Sequence, residues 1–176
     1  MPSPKRQHGF TLAEMLMALI ILSALLTAVG VAIHAAMVNS AENADIAAAT
    51  QAARVVVNRV ARELRTAAAV DPYAGSDVVK IVPPAESDFS EVRYEYNASS
   101  QSLLYKTTTG AGTQTQTLLG GDDGVKVLSF YALFEIGPNW EGVDCTKSAT
   151  IYLTFEVDGQ TLSVTASAAP RRNQLY

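Results

Sequence analysis

Apolar and polar residues change their spacing twice along this chain, and each change predicts a different kind of element. Residues 15–33 (MLMALIILSALLTAVGVAI) carry no charge, and the uncharged stretch extends to residue 38. A helix of about 20 apolar residues spans the hydrocarbon of a bilayer. From Ile46 the spacing becomes amphipathic, with Ile46, Ala53, Val57, Val60, Leu64 and Ala67 recurring at helical intervals. Arg54, Arg59, Arg62 and Arg65 fall outside that stripe, as a solvated basic face or one that meets acidic neighbours. No proline or glycine interrupts this second stretch before Asp71-Pro72. A continuous helix from Thr11 to Ala69 would be about 88 Å long at the α-helical rise. Its first half is predicted to lie in lipid and its second to present one stripe to a domain core.

After Pro72 the period falls to two. Segments 78–82, 91–97, 102–108, 125–134, 149–157 and 161–167 all read as strands. The alternation is clearest where Ile151, Leu153, Phe155 and Val157 would face one way and Tyr152, Thr154 and Glu156 the other. Asp158-Gly159 predicts a two-residue hairpin, and residues 97–101 (NASSQ) a looser one. Residues 109–124 read as a polar, Gly-rich connection with room for one short strand, and residues 135–149 as a second long loop. The expected fold is α+β: an antiparallel sheet whose apolar face packs on the C-terminal half of the helix.

Composition narrows the chemistry. The chain has 176 residues, 48% of them apolar, and a formal net charge of −4. That acidic balance makes nucleic acid an unlikely partner. The single cysteine, Cys145, excludes an intramolecular disulfide. The only histidines are His8, near the start, and His34, towards the outer end of the apolar run, so the β-rich region has none. Histidine-dependent nucleophilic arrangements and imidazole zinc sites are thereby excluded there. No G-x-S-x-G or phosphate-loop motif occurs, and neither catalytic activity nor a cofactor is expected. In Gly120-Gly121-Asp122-Asp123-Gly124, Asp122 and Asp123 are the only calcium candidates. Two carboxylates fall short of the six or more oxygens calcium takes, and a Gly/Asp turn is the simpler reading. Trp140 either covers the edge of its own core or anchors a partner. Gly30 suits close helix packing.

The N-terminal segment has three readings. Its apolar core exceeds the about 7–15 residues of a secretory signal, although a small-residue site lies near Ile33-His34-Ala35. As a plain anchor it fits, with Lys5 and Arg6 before it and Glu42 and Asp45 after it placing the N-terminus in the cytoplasm. Neither reading explains an acid, Glu14, at the edge of the run, where an unpaired carboxylate is costly. A third does. Residues 9–16, GFTLAEML, resemble the processing signal of the type IV pilin and type II secretion pseudopilin superfamily.

The resemblance implies a cleaved leader 1–9 (MPSPKRQHG), a cut between Gly9 and Phe10, and N-methylation of Phe10. Loss of Lys5 and Arg6 takes the 13 Lys and Arg to 11 against 17 Asp and Glu, a mature charge of −6. It also implies that Glu14, fifth in the mature chain, serves filament assembly by pairing with the Phe10 amine of a neighbour. The implied partners are prepilin peptidase, other pilin or pseudopilin subunits, the inner-membrane assembly platform and, before assembly, membrane lipid.

The expected organisation is a filament-core helix over 10–38, its amphipathic continuation over 39–70 and a β-rich domain over 71–176. Arg62-Glu63-Leu64-Arg65, the Tyr-rich strands and the ending Pro170-Arg171-Arg172-Asn173 most resemble J-type pseudopilins and W-type minor pilins. The implied function is a minor pilin or pseudopilin of a type IV pilus or type II secretion pseudopilus. It would sit as a single-pass inner-membrane protein with an extracytoplasmic domain, and then in a filament. The alternative is a membrane-anchored or secreted β-rich binding or hydrolytic domain that uses the N-terminus only for export.

Overall fold

The computed structural model describes residues 10–121, 124–138, 142 and 144–171. The uninterrupted helical pattern forms one helix, α1 (Leu12–Thr66), and contacts divide the chain into units of residues 1–43 and 44–176. In the first unit every described residue is exposed. From Met15 to Val38 only Ser23, Thr27 and His34 are polar, so this part of the helix has a hydrophobic surface. By length and composition this segment of α1 is sufficient to cross a membrane.

The second unit begins where the stripe begins. Ala49, Ala53, Val56, Val57, Val60, Ala61 and Leu64 are buried, matching the amphipathic period. They pack against two antiparallel sheets. One is a meander in sequence order, β1 (Ala69–Asp71), β2 (Val78–Val82), β3 (Glu91–Asn97), β4 (Ser102–Thr109) and β5 (Gly112–Gly120). The other contains β6 (Val125–Pro138), β7 (Asp144–Val157) and β8 (Gln160–Ala168). Tyr94, Phe130, Ile151, Leu153 and Phe155 are fully enclosed with Leu64, Val57 and Val60 in one core cluster. Each such apolar side chain contributes about 1.5–3 kcal/mol by leaving water. In β7 the expected alternation holds: Ile151, Leu153, Phe155 and Val157 are buried and Tyr152, Thr154 and Glu156 half-buried.

Hydrogen bonds to main-chain carbonyls join the two sheets. Val127 N–H donates to Gln101 O at 2.8 Å, and Thr146 Oγ1 donates to Val70 O at 3.3 Å. At the first joint Gly120 has φ +83°, and a Cβ there would fall on Gln101 O and lie 3.2 Å from Val127 Cγ2. Only a residue without a side chain fits this approach. Asp158 (φ 50°) and Gly159 (φ 75°) form the predicted tight turn between β7 and β8.

The structure corrects four expectations. Instead of one sheet there are two. Residues 109–124 are mostly strand: β5 pairs along the length of β4, from Thr109↔Gly112 to Ser102↔Gly120. Residues 135–149 are not a long loop either. β6 continues to Pro138 and β7 starts at Asp144, with Gly137 opposite Cys145 and Pro138 opposite Asp144. Cross-strand bonds such as Ser148 Oγ to Glu135 Oε2, 2.9 Å, support the extension. Finally, α1 stops at Thr66 and not at Ala69. Alanines favour helix, but Ala68 N–H bonds to Val82 O at 2.9 Å and Ala69 pairs with Val82. Sheet pairing outweighs local propensity here.

Candidate functional site

The chemistry singled out in the sequence sits at the head of α1. Thr11 precedes the first helical residue, and Glu14 lies in the first turn. Glu14 Oε2 accepts from both the Thr11 N–H and Thr11 Oγ1, each at 2.9 Å. In return the Glu14 N–H donates to Thr11 Oγ1 at 3.2 Å. This reciprocal arrangement is a capping box, which satisfies donors that the first turn of a helix leaves open. Thr-x-x-Glu before an apolar run is its sequence signature, legible in Thr11-Leu12-Ala13-Glu14 but not used in assigning Glu14 a partner. The second carboxylate oxygen, Oε1, accepts no hydrogen bond among the described residues. Next to it Phe10 is 84% exposed. One oxygen of the acid therefore organises its own helix, and the other is left without a hydrogen bond among the described residues.

Downstream of the cap, Met15, Leu19, Leu22, Leu26, Ile33 and Met37 are all more than half exposed. Ser23 and Thr27 turn their hydroxyls back to the carbonyls of Ile20 and Ser23, which satisfies both hydroxyl hydrogens within the helix. A Cβ at Gly30 would meet nothing, so within its own chain this glycine is required by no contact. His34 is exposed. Gly9, Asp122, Asp123, Trp140 and Arg172-Asn173 lie outside the described residues.

The arginines of α1 divide into two classes. Arg59 pairs with Glu63 at 3.0 Å and stands 4.0 Å over the Tyr105 ring, and Arg65 donates to Ser167 O at 3.2 Å. Arg54 and Arg62 are exposed and have no side-chain partner among the described residues. The Arg59–Glu63 pair lies beside buried Tyr94, whose phenol is held well above its ordinary range by burial and then by the Glu63 carboxylate. Cys145 is buried on β7, its Sγ 3.4 Å from Gly137 O, so it does not sit in an open loop. No group of three or more metal-ligating side chains occurs among the described residues.

Against known families, residues 4–30 match the model of the prokaryotic N-terminal methylation motif. The match encloses Phe10, the capping box and most of the apolar run. It supports membership of the type IV pilin and pseudopilin superfamily, a processed subunit and a single-pass anchor. No curated protein and no solved structure matches the chain.

Proposed function

We propose that this chain is a minor pilin or pseudopilin, cut by prepilin peptidase between Gly9 and Phe10, N-methylated on Phe10 and built into a filament through α1. The observation that carries the reading is the coincidence, at one helix end, of the methylation motif with an acid whose Oε1 is open. In a bundle of such helices the new Phe10 amine of one subunit meets Glu14 of the next, and each removes the other's unpaired charge from an apolar interior. Because the capping box uses Oε2, the pairing through Oε1 leaves the cap intact. Before assembly the exposed apolar segment resides in the inner membrane, with the β-rich domain outside the cytoplasm.

Three substitutions test this. Glu14→Gln keeps an acceptor for Thr11 and loses the charge. Thr11→Val keeps the charge and loses the hydroxyl that caps the Glu14 N–H, and Glu14→Ala loses the charge and the carboxylate side of the capping box. All three are expected to insert and to be cleaved at Gly9. Thr11→Val is expected to co-purify with the filament, while both Glu14 variants stay in the membrane fraction. Normal incorporation of the two Glu14 variants would sink the pairing role.

A further inference from the structure

Beside α1 in the second unit lies a groove of about 420 Å³. On its helix side stand Ala48 and Ala52, both exposed, and on its sheet side Leu118 and Val157. Two carboxylates, Asp45 and Asp158, also line it. Both are exposed, and neither makes an ion pair or side-chain hydrogen bond among the described residues. An apolar floor under two unneutralised acids fits a side chain with an aliphatic stem and a cationic head.

Such a side chain is present on the same helix, in the wrong place to fill its own groove. Arg54 is exposed and unpartnered, nine residues after Asp45. Nine residues are about 2.5 helical turns, which puts Arg54 on the opposite flank of α1 from Asp45. The two features therefore cannot meet within one chain. They can meet between parallel copies staggered along the helix axis by about 13 Å, the rise of those nine residues. Arg59 and Arg65 are already engaged, and Arg62, eight residues after Arg54, sits about 80° round the helix from it and about 12 Å further along the axis, out of register with the groove at that stagger.

We propose that the Asp45–Asp158 groove of one copy receives Arg54 of a second copy, head to tail. Groove and arginine occupy different faces, so the contact is heterologous, and repetition extends a series of copies instead of closing a pair. The proposal rests on the filament-subunit reading and supplies a second contact for it, outside the membrane segment.

The test uses two differently tagged full-length copies co-expressed in the producing cell, solubilised from its membranes and purified on one tag. Wild-type copies are expected to recover each other. When both copies carry Arg54→Glu, or both carry Asp45→Lys with Asp158→Lys, recovery of the second tag is expected to fall about tenfold, as for a coupled interfacial charge pair. Pairing an Arg54→Glu copy with an Asp45→Lys, Asp158→Lys copy is expected to restore it to within about twofold of wild type, and Arg62→Glu to leave it there. Absence of wild-type recovery, loss without restoration, or an equal loss with Arg62→Glu overturns the proposal. The N-terminus of the same preparations separates the two readings. A chain that starts at Phe10 but fails the charge exchange refutes the groove contact alone. A chain that passes the exchange but starts elsewhere refutes the filament-subunit reading alone.

Discussion

Substitution of Gly120 probes the joint between the two sheets. The structure separates two costs there. The first is conformational: φ is +83°, and an L side chain in the left-handed region costs about 1–2 kcal/mol. The second is steric. An added Cβ falls on Gln101 O, 3.0 Å from Ser102 Cα and 3.2 Å from Val127 Cγ2, and two of these three neighbours are backbone. Gln101 O is also the acceptor for Val127 N–H, so moving it loosens the hydrogen bond that ties β6 to the five-stranded sheet. Overpacking of this kind costs about 1–3 kcal/mol, and the weakened bond about 0.5–1.5 kcal/mol more. Gly120→Ala is therefore expected to destabilise the domain by about 3–6 kcal/mol. The adjacent Gly121 supplies the control, since its φ is +89° but a Cβ there meets nothing within 4 Å. Gly121→Ala should lose only the conformational part, about 1–2 kcal/mol. Urea unfolding of the full chain in detergent, followed by circular dichroism, measures both. Equal costs at the two positions would refute the joint.

Two further outcomes follow from side chains in the β-rich unit. The folded chain holds the Tyr94 proton far above the range in which an unfolded tyrosine loses it. The stability this represents is therefore present below about pH 10 and lost as pH rises beyond it. Tyr94→Phe is expected to flatten the fall in unfolding free energy above that pH by about 1.4 kcal/mol per pH unit, one proton's worth; identical slopes would exclude this origin. With Cys145 buried against Gly137 O, the full chain is expected to run as a monomer on non-reducing gels. Cys145→Ser should shift stability by about 1 kcal/mol or less, because its hydroxyl inherits the same acceptor; a stoichiometric disulfide-linked dimer would contradict the placement.

What the sequence disclosed depended on how many faces of an element are covered. β7 was legible because one face is buried and the other half-buried, so Ile151, Leu153, Phe155 and Val157 alternate cleanly with polar neighbours. The amphipathic half of α1 was legible for the same reason at a different period. β5 was hidden: Gly112 to Thr117 is exposed throughout, nothing selects apolar residues on either face, and a strand held by β4 alone reads as a polar connection. The extension of β6 and β7 beyond Phe134 and Ala149 was hidden by Gly137, Pro138 and charged residues, which local pattern assigns to loops. In these places pairing across the chain decides the structure, and no local period records it. At the candidate site, Glu14 and Phe10 stood out by spacing, and the capping box was readable from Thr11. The groove was not, because it joins residues of α1 to residues more than 60 positions away.

The intact mass and N-terminal sequence of the membrane-purified protein test most directly whether α1 begins at a processed, methylated terminus. The wild-type chain is expected to start at Phe10, carry one extra methyl group and lack residues 1–9, and a Gly9→Val variant to keep its full length because a side chain obstructs the backbone at the scissile bond. A mature chain that starts at Ala36, or an uncut wild-type chain that starts at Met1, would contradict it.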